Sequence, residues 1–162
     1  MSIAIMGIGI PGSGKTTVLK KLAETLPAVY VCPDDIRAEV SGGDPTNHDH
    51  EDTVWALARI RSLQALEGEK NVIIDATFTR KEIREEFAEL LREGGAVQII
   101  GAYADISPAV AHERNKSRER VVDEDIVNTR YELLQRDPPA LSEGFDAIVP
   151  LAQVEKLLTP DA

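Results

Sequence analysis

Gly9-Ile10-Pro11-Gly12-Ser13-Gly14-Lys15-Thr16 supplies every specified position of the pattern G-x-x-x-x-G-K-[ST]. Glycines let the backbone curl with its N–H groups pointing inward, and a helix opening at the lysine adds its dipole to the same spot. The chemistry this suits is the grip of a nucleoside triphosphate. Lys15 places a point charge on the β- and γ-phosphate oxygens, and the Thr16 hydroxyl offers one ligand to Mg²⁺. Gly12, Ser13, Gly14 and Thr17 complete the candidate contacts to ATP.

Eighteen residues beyond Thr16 stands Asp34-Asp35-Ile36-Arg37. A carboxylate at the carboxyl end of a strand can accept the proton of an attacking hydroxyl, and an arginine one helical turn later can grip an anionic acceptor. Asp34 is assigned the chemistry and Arg37 the acceptor; Asp35 is assigned the cap of the following helix. Farther on, Ala111–Arg120 carries four basic residues against two acidic ones, within a chain of net charge −10. Arg114 and Arg118 are four apart and share a helical face. They are placed to close as a lid over a transferring phosphoryl group.

These residues need a strand-loop-helix order to hold them, and the hydrophobic pattern provides it. Ile3–Ile8, Ala28–Cys32, Asn71–Asp75, Gln98–Tyr103 and Ala147–Leu151 read as strands. Helical spacing occupies the segments between them: Thr16–Leu26, Ile36–Val40, Asp52 to Gly68, Lys81–Arg92, Pro108 to Ser117, Asp123–Gln135 and Val154–Leu158. Alternation of this kind builds an α/β fold, here a parallel sheet of about five strands with helices on both faces and a basic lid. No repeat or linker divides residues 1–162, so a single domain is expected. At this length a fold buries about 70% of its unfolded surface and needs no disulfide.

Composition narrows the partners. An acidic chain with pI near 4.8 does not coat nucleic acid through a general positive field, although one local basic pocket can hold a strand end. The lone Cys32, read as a buried small hydrophobe at a strand end, and the short apolar opening point to a reducing, cytoplasmic setting, and no run approaches a membrane span. A GTPase reading lacks its base-reading segment, because Asn115-Lys116-Ser117-Arg118 has no final Asp. His48 and His50 are read as part of a polar loop, with Asp52 capping the next helix. Trp55, Leu57, Ile60, Leu63 and Leu66 are read as the inward side of that helix.

The phosphate loop, Asp34-Asp-x-Arg37, Val72-Ile-Ile-Asp75-Ala-Thr77 and Arg114-Asn-x-x-Arg118 with Tyr131 together resemble the P-loop kinase domain of phage-type polynucleotide 5′-kinases, from the first strand to about Leu134. The resemblance implies that Lys15 and Thr16 serve ATP and Mg²⁺, and that Asp34 is the general base for a 5′-hydroxyl. It further implies that Arg37 contacts the acceptor strand's phosphate, that Arg118 is the lid arginine, and that the acceptor is a DNA or RNA end. Two departures stand out. Asp75 lies one position earlier than that family's carboxylate, as in small-substrate P-loop kinases, where such an Asp sits near Mg²⁺ or the acceptor; Asp75 and Thr77 are therefore candidate acceptor contacts and Asp75 a candidate Mg²⁺ ligand. No D-x-D-G-T motif is present, so a 3′-phosphatase activity is not expected. Three alternatives stay open: a hydroxymethyl on a modified DNA base as acceptor, a nucleoside or other small alcohol as acceptor, and an ATP-dependent switch that transfers nothing.

Overall fold

The computed structural model describes residues 1–117 and 122–158. Strand β1 (Ser2–Ile8) runs into α1 (Lys15–Thr25), followed by β2 (Ala28–Val31), α2 (Pro33–Val40) and α3 (Glu51–Glu67). Next come β3 (Asn71–Asp75), α4 (Lys81–Glu93), β4 (Ala96–Tyr103), α5 (Pro108–Lys116) and α6 (Glu124–Arg136). A 3₁₀ turn at Leu141–Glu143, β5 (Ala147–Pro150) and α7 (Leu151–Leu158) close the order. The five strands form one sheet in the order β2-β3-β1-β4-β5, all parallel.

Strand alternation divides the core into two layers. Ala4, Met6, Ile8, Val72 and Ile74 face one layer, packed with Val54, Ala58, Phe78, Phe87 and Leu91. Ile5 and Ile73 face the other, where Leu19 and Leu22 of α1 meet Leu151 and Val154 of α7. Trp55 packs edge-on to Phe78 and Phe87, with ring centroids 6.3 and 5.7 Å away, as a core residue should.

Four local expectations are corrected. Helix α2 starts at Pro33, not Ile36, because proline suits the first helical position; Cys32 is the N-cap, and Asp34 and Asp35 fall in the first turn, where carboxylates favour the helix dipole. His50, not Asp52, precedes α3 as its cap residue. Ile60 is 48% exposed, since the buried stripe of α3 runs through Val54, Ala58, Ser62 and Ala65. Cys32 is only half-buried.

A buried ion pair ties α4 to the 3₁₀ turn that precedes β5. Arg84, fully buried in α4, donates from Nε and Nη2 to Glu143 at 2.7 and 2.8 Å, and its remaining bonds reach the carbonyls of Phe78 and Asp137. Arg84→Ala should cost about 3–5 kcal/mol in urea unfolding, because it strands the Glu143 charge in the interior. Lys81→Ala, which breaks an exposed pair with Glu85 at 3.7 Å, should cost less than about 1 kcal/mol.

Candidate active site

The phosphate loop leaves β1 at the carboxyl edge of the sheet. Gly12 and Gly14 have φ of +83° and +84°, which side-chain-bearing residues rarely adopt. A Cβ on Gly12 would also lie 2.6 Å from the carbonyl oxygen of Ala111, and one on Gly14 would lie 2.9 Å from Nη1 of Arg114. These glycines therefore serve both the curl of the loop and the close approach of α5. Lys15 opens α1 directly after the loop and is buried; Thr16 and Thr17 follow in the first exposed turn.

Asp75 ends β3 beside Gly7 of β1. It shares the parity of Ile73, so its carboxylate projects onto the α1 side of the sheet, where α1 begins. The Lys15 ammonium lies 3.4 Å from its Oδ1, and the Thr16 hydroxyl donates to its Oδ2 at 2.8 Å. The Tyr30 hydroxyl, from β2 on the same face, also donates to Oδ2. Burial, reinforced by the Asp75 charge, raises the Tyr30 phenol well above its ordinary range, so it remains a donor. Oδ1 of Asp75 is buried and accepts no hydrogen bond. A buried, unbonded carboxylate oxygen next to a threonine hydroxyl is a donor pair of the hard oxygen type that fits Mg²⁺. Thr77 enters through its backbone, where its carbonyl accepts from the Gly9 N–H at 3.1 Å.

The second cluster stands at the start of α2. Arg37 is 5% exposed, and its Nε and Nη2 meet the two oxygens of Glu51 at 2.5 and 3.0 Å. Its Nη1 donates to Oδ1 of Asp34 at 2.5 Å. The hydrogen bonds that Arg37 donates to Glu51 hold the guanidinium firmly charged and hold the Glu51 carboxyl below the usual range. Asp34 keeps about half of its side chain exposed.

Residues 5–136 match the model of a protein family described as an AAA domain. The chain belongs to that family. Among solved structures, this AAA domain is similar to a chain of the Pnkp1/Rnl/Hen1 RNA repair complex, with a TM-score of 0.74 and 21% identity over 90% of this chain and 46% of that one. It thus spans about half the length of that relative. A gluconokinase from Sinorhizobium meliloti 1021 has a TM-score of 0.66 and 20% identity, covering 96% of this chain and 89% of its own. A sugar kinase from Janibacter sp. HTCC2649 has a TM-score of 0.67 and 18% identity, covering 99% and 91%. At these identities the likeness is one of fold, a P-loop kinase fold. No curated protein matches the chain by sequence comparison.

Within this AAA domain the lid contributes one described arginine. Arg114, in the last turn of α5, donates from Nη1 to the carbonyl of Ser13 at 2.7 Å and so docks on the phosphate loop. Arg118 lies outside the described residues. Glu51 and Tyr30 are site residues that motif reading missed. Glu51 follows a Gly- and Pro-containing loop with no periodic signal, and Tyr30 reads as an ordinary strand aromatic. Tyr30→Phe should lower kcat about tenfold and raise the Mg²⁺ concentration needed for half-maximal rate, because Asp75 loses a bond that orients it. A titration of rate against Mg²⁺ checks this.

Proposed function

We propose that the protein is an ATP-dependent kinase that moves the γ-phosphoryl group to a hydroxyl, and that the acceptor is the 5′-OH end of a polynucleotide. The observation that carries the reading is the Asp34–Arg37–Glu51 cluster. A nucleotide switch needs no such acceptor clamp. Arg37 has five N–H bonds; three are spent on the two carboxylates, so its orientation is fixed and two remain to meet a strand phosphate.

In the proposed reaction the Asp34 carboxylate accepts the acceptor's hydroxyl proton as that oxygen bonds to the γ-phosphorus. The bond from the γ-phosphorus to the bridging oxygen breaks, and ADP leaves with the electron pair. Lys15 neutralises charge on the β- and γ-oxygens, and the inward N–H groups of the loop hold the phosphates in line. Thr16 and Asp75 would hold Mg²⁺, which when bound offsets phosphate charge.

A second reading keeps the chemistry and makes the acceptor a small polyol or sugar acid. The likeness to the gluconokinase and the sugar kinase over nearly their whole lengths favours it. Labelled γ-phosphate ATP, offered with 5′-OH oligonucleotides, hydroxymethylated duplexes, nucleosides and gluconate, separates the two. Label on oligonucleotide ends is expected; label on small alcohols alone overturns the polynucleotide reading. With a net charge of −10 few strand phosphates are neutralised, so kcat/KM should be similar for three and twenty nucleotides. Its log-log salt slope should be shallow, about −1 to −3.

A further inference from the structure

Among the described residues, two that are not glycine have positive φ, Glu69 and Phe78. Glu69 lies in an exposed turn. Phe78 has φ of +47° and is 2% exposed, three residues past Asp75 in the loop that joins β3 to α4. A bulky side chain rarely adopts the left-handed region, and such an outlier persists where its surroundings over-determine it.

Three contacts do so here. The ring is wedged edge-on against Trp55 and Phe87, with centroids 6.3 and 5.4 Å away, in the core layer opposite the one that Asp75 faces. The Phe78 carbonyl accepts from Nη1 of Arg84 at 2.8 Å. One peptide earlier, the Thr77 carbonyl accepts from the N–H of Gly9, the first residue of the phosphate loop, at 3.1 Å. The φ of Phe78 is the rotation between the planar Thr77–Phe78 peptide and the ring and carbonyl beyond it. With ring and carbonyl both held, the Thr77 carbonyl is aimed at Gly9. For φ to relax to the ordinary range, one of the three contacts must let go.

Arg84 has little freedom to release its share. It is fully buried, with Nε and Nη2 tied to Glu143 and Nη2 also donating to the Asp137 carbonyl at 2.6 Å. An interior ion pair stabilises a fold little compared with apolar residues of similar volume, so stability alone gives no reason for this one. A planar guanidinium does what leucine or methionine cannot: it grips a carbonyl from a direction that its other partners set.

We propose that Arg84 is a positioning residue for the phosphoryl-transfer site: its bond to the Phe78 carbonyl holds the left-handed turn that aims Thr77 at Gly9, and so sets Asp75 against the phosphate loop and the start of α1. This rests on the kinase reading and deepens it, since Asp75 works there with Thr16 and Lys15. Arg84 itself touches none of these groups and acts through the backbone of residues 77 and 78.

The test sets stability against site geometry in the full chain. Arg84→Met/Glu143→Leu removes both charges and should recover most of the Tm that Arg84→Met alone loses. The Gly9 amide should nevertheless exchange its hydrogen about tenfold faster or more, measured against the Ile5 amide in the middle of β1. Calorimetry should show Mg·ADP bound about tenfold more weakly, and the Mg²⁺ needed for half-maximal transfer to a 5′-OH oligonucleotide should rise by a similar factor. The oligonucleotide KM should hold within about threefold, because the acceptor side is untouched. Glu143→Gln should do the reverse: Tm falls as the buried guanidinium loses its counter-charge, yet Nη1 still reaches Phe78, so relative Gly9 exchange and Mg²⁺ dependence stay within about threefold. Arg84→Lys covers the case of a double variant that does not fold. Its ammonium can pair with Glu143 but has no fork to span that carboxylate and the Phe78 carbonyl, so Gly9 should lose protection there too. Parental Gly9 exchange and Mg·ADP affinity in Arg84→Lys, or in the folded double variant, overturn the proposal. Equal shifts in Glu143→Gln and the double variant mark a general loosening and overturn it as well. If Gly9 exchange and Mg·ADP binding shift as expected but the parent phosphorylates no acceptor, the kinase reading falls and the positioning role stands.

Discussion

Lys15→Ala should lower phosphoryl transfer by at least about 10³-fold on every acceptor, since the β- and γ-oxygens lose their main point charge in a site with little solvent to replace it. The substitution also removes the cation 3.4 Å from a buried oxygen of Asp75. Loss of activity could then be mistaken for loss of fold. Thr16 and Tyr30 still donate to Asp75, so the folded state should persist with a lowered Tm. The double variant Lys15→Ala/Asp75→Asn removes the stranded charge and should recover Tm while staying inactive. A folded Lys15→Ala protein that keeps a tenth of the parent rate would overturn the phosphate-loop assignment.

The part of the site that was legible in the sequence is the part written in consecutive residues. Gly9–Thr16 declares its own strand-loop-helix context, and Pro33, Pro108 and Gly94-Gly95 mark helix limits by local backbone chemistry. Sheet order was legible only as a class, because pairing β1 with both β3 and β4 is a long-range outcome of the crossovers. The placement of Asp75 shows the difference. Along the chain Asp75 stands out only as a carboxylate one position earlier than in the similar kinases; in the folded chain, parity with Ile73 turns it toward α1 and onto Lys15 and Thr16. Glu51 and Glu143 were illegible for a different reason. Their partners, Arg37 and Arg84, are 14 and 59 residues distant, and no periodic pattern links either pair.

Asp34→Asn should lower kcat by about 10²- to 10⁴-fold with ATP binding unchanged, because the amide cannot take the proton of the attacking hydroxyl. Its orientation should survive, since the amide oxygen can still accept from Nη1 of Arg37, which Glu51 continues to hold. Asp35→Asn is the necessary comparison. Burial raises the Asp35 carboxyl above its usual range, as do the charges of Asp34, Asp75 and Glu39, against the pull of Lys20. Asp35 lies on the same turn, but Asp34 has the arginine that would align it with an acceptor. We expect geometry to decide, with Asp35→Asn losing less than about tenfold in kcat. Single-turnover rates of the two variants at saturating ATP separate them: the loss should fall on Asp34→Asn and spare Asp35→Asn. The larger loss in Asp35→Asn would reverse the assignment and make Asp34 the residue that steadies Arg37 for the acceptor.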